Sequence, residues 1–291
     1  MIQNPKRIYG GLLKTPKEQQ KFSFGGVFGY IPFKDLPKSY RVGTPLEIKN
    51  QGTLFTCVAY ATTAVSEYQE GCILNPAFTI KTISKLLNDT SWVFKGTSLD
   101  IGAKAAKEGF LSPLESPTSV LNAEVEYYAN PANWPSLYSD LALKHAKKDW
   151  FWIGVHGNMF ESICSALWQF RNEKRAVLTG LIWDNEWTNL TFIDNEGTNA
   201  GGHSIAIIGY EKQLNGKDYL VIQNSIGKEI GDEGIQYLSR DLINRNLQFG
   251  ALMFVDAEDI TEEQILKKSA YYRANFLKKL YLLFIKWLFA E

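Results

Sequence analysis

Apolar residues recur at intervals of three and four in the first part of this chain, and in short runs cut by glycine and asparagine in the last part. That change of period restricts the fold more than any other feature. In "TCVAYATTAVSEYQEG", Ala61, Ala64, Val65 and Tyr68 share one helical face. Thr56 stands where an N-cap belongs and Gly71 where a helix stops, so a helix is expected to begin at Cys57. "PAFTIKTISKLLND" repeats the pattern with Phe78, Ile83, Leu86 and Leu87, and "SLDIGAKAAKEGF" does so with Gly109 as terminator. Beyond "NPANWPSLYSD" the runs "RAVLTGLIW", "GGHSIAIIGY", "KDYLVIQNS", "EGIQYLS" and "GALMFVDA" read as strands, with Asn215-Gly216 as a hairpin turn. The expected class is α+β: a helical lobe over about 47–125, then an antiparallel, barrel-like sheet lobe over about 145–255.

Both flanks differ from this body. Residues 1–36 carry closely spaced glycines in "FSFGGVFGYIPF" and read as an arm. Residues 256–291 read as an amphipathic helical extension, with Thr261 and Gln264 as a capping box and Phe276, Leu277, Leu280, Phe284, Trp287 and Leu288 on one side. Its unbroken apolar run, 280–285, is far shorter than the ~20 residues a membrane span needs. Docking onto a partner protein or a membrane surface is the expected role, with packing onto the body as the plainer alternative.

The 31 basic residues balance 31 acidic ones, so no global field attracts nucleic acid. The glycine fragments lack the strand, turn and helix order of a nucleotide loop. Cys57, Cys72 and Cys164 are too few and too odd in number for a disulfide scaffold, and with the histidines they lack metal-ligand spacing, so no cofactor or metal is expected. The N-terminus has no apolar signal segment, which points to a cytoplasmic location or to an assembled particle such as a virion.

Cys57 carries the chemistry. A helix start stabilises a thiolate through free amides and the aligned peptide dipole. Gln51, six residues earlier, can join the Cys57 amide in holding an oxyanion. Of the histidines, His203 at the head of a strand suits a base better than His145 among lysines or His156 between aromatics, and Asn224 lies where it can orient the ring. A cysteine at a helix start is more often ordinary packing, which is also the better reading of Cys164; Cys72 has no assigned role.

In these segments the chain resembles the papain-like cysteine peptidases, as a divergent member. "IKNQGTLFTCVAYA" is similar to the glutamine–cysteine segment, "GGHSIAIIGY" to the histidine strand and "YLVIQNSIGKEIGDEG" to the asparagine segment; the likeness covers roughly 37–255. It implies the two-lobe fold and thiol-dependent peptide hydrolysis, with Cys57 as nucleophile, His203 as general base and acid, Asn224 orienting it and Gln51 in the oxyanion hole. The partner implied is a peptide or protein substrate. The alternatives are a thiol acyltransferase and a catalytically weakened structural component of a multiprotein, viral or phage, particle.

Five departures accompany the resemblance. Leu54 stands where the family has a second cysteine, and the Cys-x-Gly-Gly segment that would pair with it is missing. Val58 replaces the tryptophan after the nucleophile, and Ile226 replaces the tryptophan that shields the asparagine–histidine pair. The arm is too short for the usual helical prodomain, so control comes from a partner and location, or the arm itself crosses the cleft.

Overall fold

The structure, a computed structural model, describes residues 11–15, 29–154, 158–195, 197 and 200–256. The C-terminal extension and His156 lie outside them.

The helical lobe follows the three–four spacing closely. Helix α1 (Cys57–Glu70) ends at Gly71 with φ of 66°, the left-handed turn a glycine makes without strain. Helix α2 (Pro76–Leu87) is capped by Asn75, whose side-chain oxygen accepts the Ala77 N–H, and helix α3 (Leu99–Lys107) is followed by Gly109 at φ 91°. The predicted faces hold, except that Leu86 is exposed. Gly102 lets α3 approach α1: a Cβ there would lie 2.7 Å from Val58 and 2.6 Å from the Thr62 hydroxyl. Val58 is buried at this crossing. Short helices α4 (Thr118–Leu121), α5 (Val125–Ala129) and α6 (Leu137–Ala142) close the lobe.

The second lobe is built on one sheet. Its strands are β4 (Asp149–Trp152), β10 (Ala251–Val255), β5 (Val177–Asp184), β7 (Ala200–Leu214), β8 (Lys217–Gln223), β9 (Ile235–Ser239) and β6 (Phe192–Ile193), in that spatial order, with β2 (Ser39–Arg41) also paired to β7. The expected antiparallel pairing describes all of it but the β6–β9 edge, which is parallel. Asn215 and Gly216 take φ of 50° and 79°, the left-handed pair that turns β7 into β8. Helices α7 (Met159–Gln169) and α8 (Arg240–Asn246) cover the sheet lobe, and Cys164 is core packing on α7, as expected.

The described part of the arm is built into this body. Leu12–Leu13 (β1) pairs in parallel with Thr97–Ser98 (β3) just before α3. Tyr30 donates to Glu161, and the Ile31 N–H donates to the Ser165 hydroxyl. Among the described residues, no helix is long and apolar enough to cross a membrane.

Candidate active site

Two crossings bring the four predicted residues together. Helix α1 packs on β7, which sets Cys57 beside the strand carrying His203. The segment before α1 pairs with the chain after β8: the Gln51 N–H donates to the Ser225 carbonyl at 2.8 Å, the Gly227 N–H donates to that of Lys49 at 3.2 Å, and Asn50 bridges Ile226. Glutamine and asparagine segments thus meet at the α1 N-terminus.

His203 Nε2 lies 2.9 Å from Asn224 Oδ1, which also accepts the Ser225 N–H. The oxygen accepts, so the imidazole carries its hydrogen on Nε2 and Nδ1 retains a lone pair. Gln51 accepts a hydrogen bond from the Ser225 hydroxyl at 2.6 Å and donates one to the Leu54 carbonyl at 2.9 Å. One of its two amide hydrogens is therefore engaged within the loop.

The N-cap position is as predicted, but Thr56 makes no side-chain cap, and its buried hydroxyl has no hydrogen-bond partner. A side chain that does not cap leaves the first amides of α1 free for the thiol. The N–H groups of Ser204, Val58 and Cys57 itself all favour the thiolate, yet burial outweighs them and pushes the Cys57 thiol up to about 11. Burial also pushes His203 down to about 4, against the opposing pull of its bond to Asn224. In this arrangement the pair is neutral, thiol and imidazole, contrary to the low thiol pKa expected from the helix start alone.

Part of the arm runs beside the strand that carries His203. Cys57 and His203 are each only 1% exposed. Gly11–Leu13 passes between the lobes: a Cβ on Gly11 would meet the Phe55 backbone at 2.7 Å, and one on Gly202 would meet the Leu12 carbonyl oxygen at 2.4 Å. The Gly11 carbonyl accepts the Thr97 N–H at 2.8 Å. Leu12 itself is buried against Gly180, and Phe249 also flanks both Gly180 and Gly202.

Two site features escaped the sequence reading. Trp183, buried on β5, meets the His203 ring edge-on at 5.2 Å between centroids, and Trp187 backs it at 5.6 Å. His203 faces Leu181 and Trp183 faces Gly201, so the tryptophan reaches the imidazole diagonally across the strands, over a residue with no side chain. Trp183 thus gives the His203 ring an aromatic neighbour from β5. Gln236 on β9 is fully buried and accepts a hydrogen bond from Asn224 Nδ2 at 2.9 Å. A polar residue on the buried side of "GIQYLS" was the available signal.

His145 is elsewhere, 2.6 Å from Glu70. All three cysteines are unpaired. No cluster that could hold a metal occurs among the described residues.

No protein-family model matches the sequence, and no curated protein matches it. Solved structures do. Xylellain, a cysteine protease from Xylella fastidiosa, is 17% identical, covers 87% of this chain and 98% of its own, and superposes with a TM-score of 0.67. Digestive procathepsin L 3 from the larval midgut of Tenebrio molitor is 16% identical, over 81% of this chain and 76% of its own, at 0.58. The bromelain protease of Ananas comosus, solved with the E64 inhibitor, is 16% identical, over 76% and 100%, at 0.56. The chain has the two-lobe α+β fold of these proteins.

Proposed function

We propose that the chain is a thiol-dependent peptidase with Cys57 as nucleophile, and that its own residues 11–13 cover the cleft. The observation that carries this reading is the buried His203–Asn224 bond of 2.9 Å on the strand whose Ser204 amide faces the Cys57 sulfur. In the reaction, His203 Nδ1 takes the thiol proton and Cys57 Sγ attacks the scissile carbonyl. The oxyanion is held by the Cys57 N–H and the remaining Gln51 amide hydrogen. His203 then returns the proton to the leaving amine, and water, deprotonated by the same ring, hydrolyses the thioester.

The test is labelling by a peptide-like thiol electrophile, mapped by mass spectrometry, in the whole chain and in a variant lacking residues 1–28. Cys57 should be modified faster than Cys72 or Cys164, and far faster once the arm is gone. Equal labelling of the three cysteines in both proteins would rule out a special nucleophile. Product analysis with an added amine separates hydrolysis from acyl transfer, which shares the first half-reaction.

A further inference from the structure

We propose that Gln236 is a positioning residue that sets the tautomer of His203 through Asn224, an inference that rests on the peptidase reading for its effect on rate. A carboxamide can sit either way round, and reversing Asn224 would point two N–H donors where His203 Nε2 must donate. The surroundings forbid the reversal. Asn224 Nδ2 donates to Gln236 Oε1 at 2.9 Å. Gln236 cannot itself reverse, because its Nε2 donates to the main-chain carbonyls of Trp187 at 2.9 Å and Leu190 at 2.6 Å, with that of Thr188 at 3.5 Å. Those oxygens only accept.

Polarity therefore runs one way, from the 187–190 carbonyls through Gln236 and Asn224 to His203, and the three side chains are buried, where an unmatched polar atom costs about 1–3 kcal/mol. The end result is a hydrogen on Nε2 and a lone pair on Nδ1. A neutral imidazole needs this device more than a charged one: His203 is held neutral, so two tautomers compete, and only one leaves Nδ1 able to take a proton. With an apolar side chain at position 236, only the Ser225 N–H, which donates to Asn224 Oδ1 at 2.8 Å, would still distinguish the two orientations.

The experiment compares wild type, Gln236→Met, Asn224→Ala and the double variant. Gln236→Met should lower kcat roughly tenfold, less than the ~100-fold or more that losing the base costs, with KM little changed. It should have no further effect on kcat in the Asn224→Ala background. An equal loss in both backgrounds would mean that Gln236 acts by packing alone. Nitrogen-15 spectra of the imidazoles, with His203 assigned by its absence in His203→Gln, should show a single Nε2–H tautomer in wild type and a mixture in Gln236→Met. Wild-type protein alone also answers the question: the Asn224 and Gln236 carboxamide hydrogens should exchange slowly, and rapid exchange with free rotation would overturn the proposal even if the variant does not fold. A protein with the locked tautomer but no Cys57 acylation would refute the peptidase reading and leave the positioning intact.

Discussion

At the residue scale, the site is a set of groups whose ordinary behaviour is changed by what covers them. Ile226 has no aromatic face to set against the His203–Asn224 bond, and Trp183 packs edge-on against the imidazole from β5. Trp183→Leu should therefore admit water at the imidazole, and His203, held down to about 4 by burial, should titrate closer to its usual 6.5. The expected readout is an upward shift of the His203 titration in a folded protein, with the reaction losing rate on its acid side; an unshifted titration would assign the burial to other neighbours. The sequence made Cys57, His203 and Asn224 legible because the residues proposed for catalysis carry marks in their own segments: a helix start, a glycine pair, an asparagine after a strand. Trp183 and Gln236 left no such mark, since their roles depend on which strands become neighbours. The pairing of β5 with β7 and of β8 with β9 is a tertiary fact that local periodicity does not encode.

At the element scale, the glutamine loop is fixed by a buried ion pair at its base. Lys49 Nζ lies 2.6 Å from Glu67 on α1 and 2.7 Å from Glu47, and Glu67 also accepts the Leu74 N–H at 2.7 Å. Tyr68, one residue further along α1, donates to Gln223 at 2.7 Å, and Gln223 donates to the Glu47 carbonyl at 3.1 Å, tying the same loop to β8. Burial raises the Glu67 pKa, and the Lys49 ammonium beside it opposes that rise. Lys49→Met should remove that partner and cost about 3–5 kcal/mol, the usual penalty for leaving one member of a buried pair alone. Chemical denaturation measures it. Glu67→Gln in the Lys49→Met background should recover part of the loss, because the uncompensated charge is gone; no recovery would place the energy in packing instead. These helices were legible from the three–four spacing, whereas Lys49 read as one more loop lysine. Its burial follows from where α1 lies.

At the scale of the whole molecule, the burial of the site should couple its protonation to the packing of the arm and the two lobes. In the covered arrangement His203 is neutral, its pKa lowered to about 4, and the described charges do not compensate a proton there. A depressed histidine contributes stability that is fully present above its unfolded value near 6.5 and is lost as pH falls through 4. Cys57 acts at the other end: its thiol, raised to about 11, contributes stability that is present below about 9 and lost as pH climbs through 11. Covering should therefore be strongest near neutrality and weaken on acidification, where an uncovered, hydrated His203 can accept a proton. Leu12→Lys isolates the arm's share, because a lysine in the place of a side chain now 4% exposed carries a charge that does not titrate between pH 4 and 7. In wild type, thermal stability should fall between pH 6.5 and 4; in Leu12→Lys the neutral-pH stability should be lower and the fall shallower, while Cys57 labelling at pH 7 rises. Parallel pH profiles for the two proteins would show that the sheet and Trp183, not residues 11–13, keep the imidazole dry. A steeper fall in wild type would tie the proposed covering of the cleft to the proton that His203 would handle in the proposed reaction.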